Sequence, residues 1–290
     1  MAKNPPTIRM RRLGTELRKV REARGLDLEE AAALVNMSKS ALSRMENAQV
    51  VVRRHEVDYL LIKYDVTDET LCRSIRGLAG AGRSKEWVKR HGDLVGSAGE
   101  FVRLEQDSAV IRELQPVVIN GLLQTPEYCR AVMVSAGDKD ADRLERAVAF
   151  RMARKEVLTR MPPARLEVVL GEGVLRQMLG GVEVMQGQLR YLLEASTKPN
   201  ISLQILPFSA AKNPGVDGAC TLLDVEAGLF TVVVTESIGR STFLEGDDDV
   251  ARHSAAFNMA RALALSEADS RALIKSILRE LENSQGQESG

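Results

Sequence analysis

The sequence is poor in the residues that most often carry chemistry. Cysteine occurs three times in 290 residues, as Cys72, Cys129 and Cys220, and never in a CxxC pair. An odd and scattered set excludes a disulfide framework and fits a reduced cytoplasm, with each thiol inert rather than oxidant-sensing. The three histidines, His55, His91 and His253, show neither HxxxH nor HExxH spacing, so no metal site is expected. There is no GxSxG elbow and no Walker loop, and the GEG at 171–173 is too short for a nucleotide fingerprint and reads as a helix start. No catalytic residue, cofactor or enzyme activity is expected from these absences. No apolar run of about 18 residues exists, and no apolar stretch follows the basic N-terminus, so neither a membrane span nor a secretory signal is expected.

Net charge is missing too, because 40 Lys and Arg balance 40 Asp and Glu. The distribution is uneven. Residues 1–95 carry nineteen basic and thirteen acidic side chains, and the remainder carries twenty-one and twenty-seven. A basic N-terminal part points to an anionic partner, nucleic acid first. Hydrophobic residues make up 44% of the chain, enough to bury a sizeable core, and the length suggests two domains.

Composition and periodicity divide the chain. Residues 1–12 read as a disordered basic arm, 13–79 as helical, and 80–95 as a glycine-containing linker. Residues 96–281 form a second domain, and 282–290 a polar tail. The second domain begins with a mostly helical stretch over 96–160, where Leu144, Ala147, Val148 and Met152 share one face. Strands are predicted at Leu166–Leu170, Ile201–Ile205, Thr221–Val225 and Phe230–Val234, with a helix carrying Met185, Leu189, Leu192 and Leu193 after the first. Asp247, Asp248 and Asp249 suit a helix N-terminus better than a cation site. Ser266 with Asp269 suits a capping box before a last helix. The fold class is an all-α N-terminal domain plus a larger α+β domain.

The most specific signal lies between residues 13 and 66. Leu13, Leu17 and Val20 give a first helix one apolar face, and Gly25 ends it. Asp27 and Glu30 form a capping box for a second helix, whose buried face holds Leu28, Ala31, Ala32 and Val35. Asn36 stands at the turn, where it tolerates positive φ. Met37 plugs the corner, and Ser38 caps a third helix, KSALSRMEN. That helix turns Ala41, Leu42 and Met45 inward and Lys39, Ser40, Ser43, Arg44 and Asn47 outward. Every outward residue forms hydrogen bonds and none is acidic, which suits the donor and acceptor pattern of the DNA major groove. A fourth helix turns Val57, Leu60, Leu61 and Tyr64 inward.

The stretch LRKVREARGLDLEEAAALVNMSKSALSRMENAQ resembles the lambda-repressor-like, or XRE, helix-turn-helix proteins. The resemblance rests on Ala32 within helix two, Asn36 at the turn, Ser38 at the cap, and the run Ser43, Arg44, Glu46. It departs in having Leu28 where glutamine is frequent, and Asn36 and Ala48 where glycine is usual. The first departure removes one phosphate contact, and the other two are expected to cost little. The resemblance implies that Lys39, Ser40, Ser43 and Arg44 read bases. Ser38, Asn47, Gln49, Arg53 and Arg54 would hold phosphates. Glu46 is expected to pair with a neighbouring helix, since DNA would repel it.

The segments VINGLLQTPEYCRAVM, RMARKEVL, QLRYLLEASTKPNISLQILPFSA and STFLEGDDDV resemble actinobacterial regulators that carry an XRE domain and a C-terminal domain of unknown function. Asn120 replaces a frequent proline. The DNA-binding mode implies a homodimer on double-stranded DNA, and a cytoplasmic, nucleoid-associated protein fits the cysteine pattern. Its C-terminal domain would answer to a small companion protein or a small-molecule effector. An antitoxin-like module that binds DNA mainly for autoregulation is the alternative reading.

Overall fold

The computed structural model describes residues 6–79, 84–91, 99–137, 140–225, 230–237 and 240–288. The chain divides into two units, Met1–Glu86 and Trp87–Gly290.

The first unit is helical throughout its described elements. They are α1 (Ile8–Ala23), α2 (Leu28–Leu34), α3 (Lys39–Glu46), α4 (Arg54–Lys63) and α5 (Glu69–Ala79). The predicted apolar stripes of the first four helices form its core, with Leu17, Ala31, Leu42, Val57 and Leu60 almost fully buried. α1 begins five residues earlier than periodicity indicates. Thr7 caps it by accepting from the Met10 N–H, and Ile8 is buried. Residues 8–12 are therefore helix rather than disordered arm, because one buried isoleucine and a cap outweigh the polar composition. Residues 1–5 of that arm lie outside the described residues.

The predicted linker, 80–95, spans the boundary between the two units and contains a helix. Residues 84–91 form α6 (Ser84–His91), and 80–83 and 92–95 lie outside the described residues. The sole tryptophan, Trp87, is buried and donates from Nε1 to the Ala153 carbonyl at 3.3 Å. Its ring lies against His91 and Phe150, with centroids 4.8 and 6.1 Å away.

The second unit is α+β, built on a six-stranded sheet with order β3-β2-β1-β4-β5-β6. Its strands are β1 (Ser108–Gln115), β2 (Arg165–Gly171), β3 (Ile201–Leu206), β4 (Cys220–Val225), β5 (Phe230–Ser237) and β6 (Arg240–Leu244). β1, β2 and β3 run parallel, and β4, β5 and β6 continue antiparallel. Helices cross between the parallel strands, as such pairing requires. α8 (Pro126–Ser135) and α9 (Ala141–Arg154) join β1 to β2, after α7 (Gly99–Asp107) has led into β1. α10 (Glu172–Arg176) and α11 (Val182–Ala195) join β2 to β3.

α12 (Asp247–Leu263) lays Phe257 and Ala260 on Leu114, Val169, Leu222 and Val233 of one sheet face. The opposite face, with Ile111, Leu166, Val168 and Leu223, is buried as well. Two buried faces explain why β2 reads as LEVVL and not as a clean alternation. The edge strand β3 is covered by the turn into α13 (Glu267–Glu288). Leu265 N–H donates to Ile205 O at 2.9 Å, and Ile205 N–H donates to Ser270 Oγ at 2.9 Å. Such cover protects an otherwise open edge. α13 runs to Glu288, so the predicted tail is helical over 282–288.

β1 corrects the prediction of helices across 96–160. Arg112 and Glu113 interrupt its apolar run, yet both have partners. Arg112 donates to Asp224 Oδ1 at 2.8 Å, and Glu113 accepts from Asn120 Nδ2 and Gln115 Nε2.

Candidate nucleic-acid interface

α2, the turn and α3 form with their predicted caps. Asp27 accepts from the N–H groups of Glu29 and Glu30, at 2.7 and 2.8 Å, and the Glu30 carboxylate takes the Asp27 N–H at 2.9 Å. Those N–H bonds hold the Asp27 carboxyl below its ordinary range. Asn36 adopts φ 51° at the turn. Ser38 Oγ accepts from the Ala41 N–H at 3.1 Å and so opens α3. Ala48 also takes positive φ, 54°. A Cβ there is disfavoured by about 1–2 kcal/mol, so the departure from glycine at this position is less innocent than the sequence suggests.

Two contacts between α1 and α3 set the attitude of α3, and one escaped sequence reasoning. Gly14 lies against the end of α3, so closely that a Cβ would stand 2.3 Å from the Glu46 carbonyl oxygen. The available signal was a glycine inside a helical pattern, which often marks close approach. The other is the contact of Glu46, 5% exposed and turned inward as expected. It accepts from Arg21 Nε at 2.7 Å, Arg21 Nη2 at 3.0 Å and Arg18 Nε at 3.3 Å. Tyr64 lies in the same field, its hydroxyl pushed up to about 12 by burial first and by the Glu46 charge second.

The predicted contact residues fall into three groups. Lys39, Ser40, Arg44 and Gln49 are exposed on or just after α3, with Ser43 half-buried among them. Arg53 and Arg54 are exposed at the start of α4. Arg44, Arg53 and Arg54 form no ion pair among the described residues, whereas Lys39 Nζ meets Glu29 Oε2 at 3.0 Å. Asn47 is exposed yet already committed. Its Nδ2 donates to Ser43 O at 2.8 Å and Ser43 Oγ at 3.2 Å, and its Oδ1 accepts from Arg18 Nη2 at 2.9 Å. Arg18 was not anticipated. It ties Glu46 to Asn47 and so links the anchored and outward faces of α3.

Among the described residues no group of three or more His, Cys, Asp or Glu side chains is arranged to hold a metal ion. The three thiols are buried, and burial pushes Cys220 up to about 11. No helix among the described residues is long and apolar enough to cross a membrane.

Comparison with protein families gives two matches. Residues 12–72 match a helix-turn-helix domain, the DNA-binding type of module that the geometry above describes. Residues 98–276 match the domain of unknown function DUF5753. Neither the curated proteins nor the solved structures yield a match to the chain.

Proposed function

The chain belongs to the DUF5753 family, and because a helix-turn-helix domain precedes that region, we propose that it is a sequence-specific DNA-binding transcriptional regulator. α3 enters the major groove. Lys39, Ser40, Ser43 and Arg44 read base edges, and Arg44 pairs with a guanine edge through two N–H groups. Gln49, Arg53 and Arg54 hold phosphates. Ser38 accepts one bond as a cap and keeps its own proton for a phosphate oxygen. Asn47 reaches a phosphate only by giving up a bond to Ser43, so its main role is to order the end of the helix.

The observation that carries this reading is the division of α3 into two faces. Leu42, Met45 and Glu46 are buried, while the outward face is polar, exposed and free of acidic groups. Two copies of the chain would place two such helices on half-sites about 34 Å apart. The second unit senses a small molecule or a companion protein and alters DNA affinity by linkage. The protein acts as an intracellular regulator at the nucleoid and not as an enzyme.

Arg44→Ala separates base reading from general attraction. It should weaken operator binding by about 1–3 kcal/mol and relax preference at one base position. Arg53→Ala should instead weaken all sequences alike and lower the salt slope by about one. Mobility-shift titrations on a selected operator, repeated at several salt concentrations, measure both. An Arg44 variant with full affinity and full preference would overturn the assignment.

A further inference from the structure

The three parallel strands of the second unit end side by side. Their carboxyl ends border a cavity of about 190 Å³, which Pro116, Gly171 and Leu206 help to line. In open sheets with parallel strands, ligands bind outside the carboxyl ends of the strands. The wall is apolar at Leu114, Pro116 and Leu206. Phe208 also lines the cavity and leaves 70% of its surface exposed. Gly173 keeps the space beside that ring open, since a Cβ there would already stand 3.5 Å from Phe208 Cζ.

Two charged side chains line the cavity, and they differ in availability. The Glu172 carboxylate is occupied. It accepts from Arg176 Nε at 2.9 Å and from the Phe208 N–H at 3.0 Å, which fixes the Phe208 backbone at the cavity. Lys212 is exposed and forms no ion pair among the described residues. The cavity thus combines an apolar wall, an uncovered aromatic ring and one unneutralised cation.

We propose that this cavity takes a compact aromatic carboxylate, its ring on Phe208 and the apolar wall and its carboxylate on Lys212. Size sets the class. An apolar cavity of about 150 Å³ holds benzene, so one ring with a carboxyl group fits the space of about 190 Å³. The proposal rests on the effector reading of the second unit and gives that effector a chemistry.

Calorimetric titration of the full-length protein with benzoate, and separately with its neutral counterpart benzamide, tests it. Saturable benzoate binding is expected at millimolar concentration or below, with benzamide about tenfold weaker. Lys212→Gln should bring benzoate down to the benzamide level. Gly173→Leu should fill the cavity and remove binding of both, with an unchanged melting temperature showing that the fold persists. The absence of saturable benzoate binding would overturn the proposal, as would an affinity that neither substitution alters. The titration is then repeated with operator DNA present. Benzoate binding that ignores DNA leaves the cavity assignment standing and overturns the effector reading, whereas a reciprocal shift supports both.

Discussion

Replacing Gly14 by alanine sets two physical effects against each other. On propensity alone the substitution should help, because alanine is better than glycine in a helix interior by about 1 kcal/mol. The packing argues the reverse. The new Cβ would stand 2.3 Å from Glu46 O, 2.8 Å from Glu46 C and 3.0 Å from Met45 O. Carbon atoms rest about 3.5–4.0 Å from their neighbours, so the α1–α3 gap must open by about 1 Å. The obstacles are backbone atoms and cannot rotate away. Overpacking of this kind costs about 1–3 kcal/mol or more. Because the obstacles are rigid, the cost lies at the upper end, about 3 kcal/mol; less the propensity gain of about 1 kcal/mol, the net loss in the first unit is about 2 kcal/mol, which makes amide exchange in α1 and α3 about thirtyfold faster. Relief moves α3 as a body, so operator binding should weaken as well. Native-state hydrogen exchange and a mobility-shift titration provide the readouts. Slower exchange in Gly14→Ala would show that propensity wins and that the close crossing does not set the position of α3.

Glu46→Gln should cost about 3 kcal/mol, because it removes the buried counter-charge of Arg21 and leaves only the exposed Glu22 beside the guanidinium; native exchange in α1 and α3 reads the effect, and an unchanged rate would count against it. Glu29→Gln frees Lys39 from an exposed pair that contributes little to stability. It should strengthen operator binding a few-fold at low salt and not at high salt, by mobility shift. Glu113 is pushed up to about 7, mainly by burial, with bonds from Asn120 and Gln115 acting in the opposite direction. A carboxyl raised in this way gives stability that is complete below its ordinary value of 4.5 and lost as pH rises through about 7. The second unit should therefore lose up to about 3 kcal/mol across that window. Glu113→Gln should flatten the profile, followed by the fluorescence of the single buried tryptophan, Trp87, during thermal unfolding at several pH values.

The first unit was largely legible in the sequence because its signals are local. A cap, a periodic stripe and a turn residue each act within about four residues. Asp27, Asn36 and Ser38 behave as their chemistry dictates. The second unit was less legible at β1, which is specified by distant neighbours. β1 is a strand because Arg112 finds Asp224 on β4 and Glu113 finds Asn120 beyond the strand end. Nothing within SAVIRELQ reveals those partners. α6 and the end of α13 were missed for the opposite reason. Their composition is polar, and polar helices look like linkers or tails until tertiary contacts are known.

The candidate interface shows how folding, rather than composition, produces a basic outward surface. α1 to α3 contain Glu16, Glu22, Glu29, Glu30 and Glu46, enough acid to spoil a DNA-facing site. The fold disposes of most of it locally. Glu46 is turned inward onto Arg21 and Arg18. Glu16 meets Arg12 at 3.1 Å and Lys19 at 3.2 Å. Glu22 lies 3.3 Å from Arg21, and Glu30 closes the capping box at Asp27. Only Glu29 engages a predicted base reader, Lys39. Arg44, Arg53 and Arg54 keep their charge uncompensated among the described residues. A sequence count of charges cannot separate these cases, because it cannot tell which carboxylates a helix turns toward its neighbours. The Ser-Arg-x-Glu run encodes that separation at the shortest possible range: Arg44 and Glu46 are two residues apart on one helix, about 200° around its axis. The first therefore faces outward, and the second is held inside by α1.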